Sequence, residues 1–155
     1  VSAKAAVVHE DRILLVEYRC PGDTGHFSLP GGRPVPGEGA EAAALRKVAE
    51  ETCLDVVSQG LLAIVEYLPD RHDRVHGPLP RLQLVFRCTP APGRTATDAR
   101  MPARPEPGHA AVTWLPLVRI PRVTLQPAVG PHLLRALTAA PTGPSAVPLV
   151  REERP

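Results

Sequence analysis

At 155 residues, 43% of them hydrophobic, the chain is long enough for one domain with an adequate core, which two Phe, two Tyr and one Trp leave largely to aliphatic side chains. A net charge of +2 and a pI near 8.6 are too mild to argue for nucleic-acid or membrane-surface binding; no apolar run approaches the ~18 residues of a membrane span, and none has signal-peptide form. Cys20, Cys53 and Cys88 form no CxxC pair and leave one over in any pairing, which favours a reducing cytoplasm over a disulfide scaffold. A soluble, cytoplasmic protein is the expectation.

In chain order, Ser2 to Val8 and Ile13 to Arg19 read as two strands around a turn at His9 to Asp11, with Leu14, Val16 and Tyr18 on one face and Ile13, Leu15 and Glu17 on the other. Cys20 to His26 is a turn-rich loop, followed by a short strand Phe27 to Leu29. Arg19 and His26 flank that loop as candidate phosphate or base contacts. The next stretch, Leu29 to Leu54, reads LPGGRPVPGEGAEAAALRKVAEETCL and organises the rest. A turn with Gly31, Gly32 and Gly37 leads to Glu38 and then to an Ala-rich helix. At about 100° per residue, Lys47, Glu50, Glu51 and Leu54 share one side, and Leu45, Val48, Ala49 and Thr52 lie opposite. The charged face and the buried face are separate.

This stretch resembles the Nudix box, G-x5-E-x7-R-E-U-x-E-E-x-G-U with U bulky aliphatic: Gly32, Glu38, Arg46, Val48, Glu50, Glu51 and Leu54 match in register. Leu29, Pro30 and Gly31, with Phe27 as the aromatic before the box, are also family-like. The resemblance implies an α/β chain folded as a Nudix-like α/β/α sandwich, a mixed β-sheet between two helices. It also implies a loop–helix–loop whose glutamates, here Glu38, Glu50 and Glu51, bind Mg²⁺ or Mn²⁺, with the metal binding the diphosphate of a nucleoside diphosphate-linked compound and Arg46 orienting Glu50. Mg²⁺ prefers carboxylate oxygen plus water and substrate phosphate, and can neutralise phosphate charge and activate water.

Two positions depart from the signature. Lys47 stands where the family has a glutamate that is often a metal ligand or base, so a four-carboxylate site of charge −4 becomes three carboxylates and an ammonium, −2. Two unit charges about 4 Å apart interact by roughly 4 kcal/mol at an effective dielectric of 20, and a dication would feel about twice that. Lys47 and a seated metal should not share one spot. Three outcomes are open: the stem swings its head to water and leaves a weaker metal site, the ammonium takes the metal's place against Glu50 and Glu51, or Lys47 beside Arg46 has a lowered pKa and serves as base or nucleophile. Cys53 stands where the signature has glycine just past the helix, which predicts a helix one residue longer.

After the box, Val56 to Leu68 reads as a long strand in which Glu66 interrupts an apolar face, and a carboxylate among aliphatics needs a partner or a metal. The following loop carries Arg71, His72, Arg74, His76 and Arg81, charges suited to a diphosphate; Gly77 and Pro78 argue against a helix that would make the two histidines a zinc pair. Leu82 to Cys88 alternates, with Leu84 and Phe86 inward. Thr89 to Gly108 has no periodicity and reads as a lid or a variable insertion. Near its end stands Glu106, at about the place where family members complete the metal site or carry the base, and Val112 to Leu115 before Pro116 resembles the family strand that follows. A last helix starts at Pro127 or Val129 with Leu133, Leu134 and Leu137 as its apolar stripe. Residues 1–140 then form the domain and 141–155 a Pro-rich, flexible tail.

The leading expectation is a metal-assisted hydrolase of an organic diphosphate. Its site would be Glu38, Glu50 and Glu51 for metal, Arg46, Lys47, Glu50, Glu66 and Glu106 for catalysis, and Arg19, His26, Phe27, Gly31, Gly32, Arg71, His72 and Arg81 for substrate. The alternative is a Nudix-fold protein with a binding role or another reaction, in which Lys47 replaces the metal, Mg²⁺ or Mn²⁺ is absent or weakly held, and an anionic ligand meets Lys47 directly. In either case the partner is a small phosphorylated molecule, and a homodimer would be in keeping with the family.

Overall fold

A computed structural model describes residues 1–19, 22, 25–68, 79–139, 147 and 149–151. The sheet grows from the hairpin of β1 (Ser2–His9) and β2 (Arg12–Tyr18), which pair antiparallel at Val8 opposite Ile13 and His9 opposite Arg12. The other end of β1 leaves β2 and takes β4 (Gly31–Gly32) as its neighbour, with Ala3 opposite Gly32 and Lys4 opposite Gly31. On its far side β1 runs parallel to β6 (Arg81–Pro90), and β6 pairs antiparallel with β5 (Val56–Tyr67). β2 in turn pairs with β3 (His26–Ser28) and β7 (His109–Pro116). The order is β8 (Leu125–Gln126), β3, β2, β1, β6, β5 and β9 (Leu149–Arg151), with β4 and β7 joining at β1 and β2.

The strands alternate between two cores, as the period of 2 requires. Ala5, Val7, Leu14 and Phe86 face α1 (Ala40–Thr52), which buries Ala43, Ala44 and Val48 against them. Ile13, Leu15, Val65 and Val85 face α2 (Gly130–Thr138), which buries Leu133 and Leu137. Because a helix covers each face, consecutive residues Ile13 to Val16 are all fully buried, the near-continuous apolar run expected of a sheet covered on both sides. This is the mixed sheet between two helices that the resemblance implied.

Several local expectations need correction. The third strand starts one residue early, at His26. In β6 the inward set is not limited to Leu84 and Phe86: Val85 is 1% exposed on the other face, since the second core needs filling too. The stretch after β6 is no detached lid. Arg100 N–H donates to the Thr52 carbonyl at 2.9 Å, Ala91 N–H to the Asp55 carbonyl at 2.9 Å, and Trp114 Nε1 to the Ala96 carbonyl at 2.9 Å. Backbone carbonyls do this tying, and they leave no mark in a residue pattern. Within the Pro-rich tail, Leu149–Arg151 pairs parallel to β5 at Ile64 to Glu66, because the outer edge of β5 offers unpaired backbone groups to any extended segment.

α1 ends at Thr52, and Cys53 does not extend it. Cys53 has φ 55° and ψ 14°, the left-handed cap, and its N–H donates to Ala49 at 3.0 Å. A side chain in that conformation costs roughly 1 kcal/mol or more. Cys53→Gly is therefore expected to raise the melting temperature by about 3 °C. A lower one would mean that the packing of the half-buried thiol outweighs the backbone term.

Candidate functional site

The charged side of α1 folds its groups into two linked ion-pair sets. Arg46 forks onto Glu38, with Nε 2.8 Å from Oε1 and Nη2 2.9 Å from Oε2, and its Nη1 reaches Glu50 Oε1 one turn on at 3.0 Å. Glu38 also accepts from Val35 N–H at 3.0 Å. The Arg46 hydrogen bond, with that backbone bond, holds the Glu38 carboxyl down at about 2, and Arg46 is also the main cause of the lowered pKa of Glu50. Both carboxylates are thus more acidic folded than unfolded, so their contribution is present above pH 4.5 and lost as the pH falls toward 2. Glu38→Gln is expected to flatten the acid limb of melting temperature against pH in that window, and an unchanged limb would contradict the fork.

The second set is centred on Lys47. Its Nζ lies 2.6 Å from Glu106, 3.1 Å from Glu51 and 3.3 Å from Glu50, so the three ammonium hydrogens face three carboxylates and none is left over. The stem lies along Gly32, where an added Cβ would meet Lys47 Cε, Cδ and Cγ at 3.0–3.2 Å. Glu51, 3% exposed, spends its other oxygen on Gly31 N–H at 3.1 Å. Burial disfavours charge on Lys47, but the hydrogen bond to Glu106 and the charge of Glu51 outweigh it and raise the pKa. So held, Lys47 is kept from the lowered pKa that a base or nucleophile would need. Nor does it greet an anion directly: four carboxylates (Glu38, Glu50, Glu51, Glu106) against two cations (Arg46, Lys47) leave the set at −2, with Arg104 at the rim of the adjoining cavity of about 270 Å³.

Carboxylate oxygens suit Mg²⁺ chemically. Among the described residues, however, no group of three His, Cys, Asp or Glu side chains is arranged to hold a metal ion, and the Lys47 ammonium stands between Glu50, Glu51 and Glu106. As arranged, these residues do not fit a resident divalent ion.

The structure gathers Glu38, Arg46, Lys47, Glu50, Glu51, Glu106, Gly31 and Gly32. It does not bring Glu66 to them: that residue sits on β5 opposite Leu82 and beside Arg151 of β9. Phe27 packs against the core under α2. Arg19 is largely exposed, with Nε 2.6 Å from Glu17, and His26 stacks on Tyr18 with ring centroids 5.5 Å apart. Arg71 and His72 lie outside the described residues. Arg81 lines a different cavity, across Gly32 from the Lys47 set, together with Lys4 and Arg33.

Sequence reasoning passed over two residues here. Lys4 Nζ donates to the carbonyls of Leu29 and Gly31 at 3.1 and 3.4 Å and to Ser28 Oγ at 3.3 Å, and burial lowers its pKa. His109, buried beside Glu106, has no hydrogen-bond partner for either ring nitrogen among the described residues, and burial lowers its pKa as well. A lysine within the apolar run of β1 was a visible signal, whereas a lone histidine at a strand start was not.

The family profile for the NUDIX domain matches residues 1–136. This chain belongs to the Nudix family. Solved structures bear the same fold: a NUDIX hydrolase from Nitrosomonas europaea (19% identity, 88% of this chain and 86% of that one, TM-score 0.68) and an ADP-ribose pyrophosphatase from Streptococcus suis (24% identity, 96% of each chain, TM-score 0.65). A third is a MutT NUDIX hydrolase from Burkholderia pseudomallei (23% identity, 88% and 96%, TM-score 0.62). No match was found among curated proteins. Nudix hydrolases act on small phosphorylated substrates, and the family generally uses divalent metal ions. No helix among the described residues is long and apolar enough to cross a membrane.

Proposed function

We propose that this Nudix chain binds a small organic diphosphate or related phosphorylated compound without the family's metal-assisted hydrolysis, the box glutamates serving to hold an internal cation. The observation that carries this reading is the Lys47 ammonium within 3.3 Å of Glu50, Glu51 and Glu106. A dication there would face the ammonium at a cost of roughly 8 kcal/mol for about 4 Å separation at an effective dielectric of 20. Glu106, which a hydrolase could use as base, is occupied by Lys47, and Glu66 lies elsewhere.

A second reading keeps the hydrolase. The set retains a charge of −2, which one divalent ion would cancel, and Lys47 could leave with the exposed Glu106 as escort. Calorimetric titration of the wild type with Mg²⁺ and Mn²⁺, with phosphate release measured from a panel of organic diphosphates, separates the two. The first reading expects no binding at millimolar metal and no release. Saturable metal binding with metal-dependent release would replace it by the second.

A further inference from the structure

The cavity across Gly32 has a chemistry of its own. It measures about 230 Å³, under the ~300 Å³ at which pockets for drug-sized ligands begin. Lys4, Arg33 and Arg81 line it, and no carboxylate or aromatic ring is among its described lining residues. Nor does any of these three cations have a carboxylate within ion-pair distance among the described residues: Lys4 is spent on carbonyls and a hydroxyl, and Arg33 and Arg81 are exposed. The floor is polar as well. Gln83 is only 9% exposed and its Oε1 has no hydrogen-bond donor among the described residues, while Ser28 and Gln126 stand beside it. A buried amide oxygen left without a donor keeps its desolvation penalty, and a ligand that supplies a donor recovers it.

These features specify a ligand. Two exposed guanidinium groups, Arg33 and Arg81, with no carboxylate within ion-pair distance among the described residues call for an anionic group; guanidinium forks suit phosphate. A phosphate dianion has no proton to give Gln83, so the donor has to come from another group of the same molecule, and a hydroxyl supplies it. The absence of an aromatic ring to stack on among the described lining residues disfavours a nucleobase. Resting on the binding role proposed above, we propose that this pocket takes the organic half of the ligand and selects a phosphorylated, hydroxyl-bearing carbon skeleton without an aromatic base. Arg81 and Arg33 then grip its phosphate and Gln83 accepts from its hydroxyl. The Gly31–Gly32 segment separates this positive pocket from the negative Lys47 set, which steers the anion to one side.

The test is calorimetry on the full chain with ribose 5-phosphate, inorganic phosphate and adenosine 5′-monophosphate. Ribose 5-phosphate is expected to bind about tenfold tighter than inorganic phosphate, one hydrogen-bonded group's worth of discrimination, and no more weakly than the nucleotide. Arg81→Gln, at an exposed position, should weaken ribose 5-phosphate about five- to tenfold. Gln83→Leu, with its fold checked by melting, should abolish the advantage over inorganic phosphate while leaving phosphate itself bound. A nucleotide that binds tenfold tighter than ribose 5-phosphate, a sugar phosphate indifferent to both substitutions, or no binding of any of the three would overturn the assignment. Metal-dependent phosphate release by the wild type would instead overturn the non-hydrolytic reading, and the ligand ranking would still decide the pocket.

Discussion

Lys47→Glu is expected to destabilise the metal-free protein by about 3–5 kcal/mol, the cost of removing one partner from a buried ion pair, and so to lower its melting temperature by roughly 10 °C. The reason lies in who loses a partner. Glu51 is 3% exposed and depends on Lys47 for one oxygen and Gly31 for the other, so the variant would leave a buried carboxylate facing a new one. The same change assembles four carboxylates around one point, and Mn²⁺ then has somewhere to go. At a hundredfold excess over its dissociation constant a bound ion returns about 2.7 kcal/mol, so Mn²⁺ should restore most of the lost melting temperature in the variant and shift the wild type little. Calorimetry and thermal unfolding with and without Mn²⁺ measure both halves. Equal metal-free stabilities, or a wild type that Mn²⁺ raises as much as the variant, would remove Lys47 from the centre of the site.

The second large effect belongs to Gly31→Ala. The new Cβ would stand 2.2 Å from the Ala3 carbonyl oxygen and 2.7 Å from Lys4 Cα, with the residue at φ 149°. Those atoms are backbone of β1, which cannot retreat because Ala3 and Lys4 are paired on their other side with Leu84 and Val85 of β6. β4 must therefore move off β1, taking with it the Gly31 N–H bond to Glu51 and the Lys4 bond to the Gly31 carbonyl. A loss above about 4 kcal/mol is expected, in the range reserved for specific structural failures. Gly37→Ala is the control: φ there is 83° but nothing lies within 4 Å, so only the conformational cost of about 1 kcal/mol applies. Similar melting temperatures for the two variants would show that β4 does not sit as close to β1 as described.

The helix arithmetic of the box was legible because the contacts within α1 are local. Arg46 and Glu50 are four apart, and Lys47 meets Glu50 and Glu51 at three and four, which the 3.6-residue period alone demands. Glu106 is different. It meets Lys47 across 59 positions, and only the family resemblance pointed to it. Glu66 shows the limit from the other side: alternation put a carboxylate on an apolar face, but a single strand's pattern does not say that β9 will arrive beside it. Lys4 carried the same signal, polar among apolar neighbours, and its partners proved to be carbonyls of the glycine loop. Strands of two or three residues such as β4, β8 and β9 contain too few side chains for any period to be read.

That brevity has a bearing on how copies of the chain could meet. The sheet is bounded by β8, of two residues, at one end and by β9, of three, at the other. A neighbouring molecule that tried to continue the sheet beside β8 would find too short a ladder, which is one way natural β proteins discourage open-ended strand stacking. β9 pairs with the twelve-residue β5 only at Ile64 to Glu66, so it interrupts the outer margin of that strand near one end, where an added strand would otherwise find an unbroken ladder.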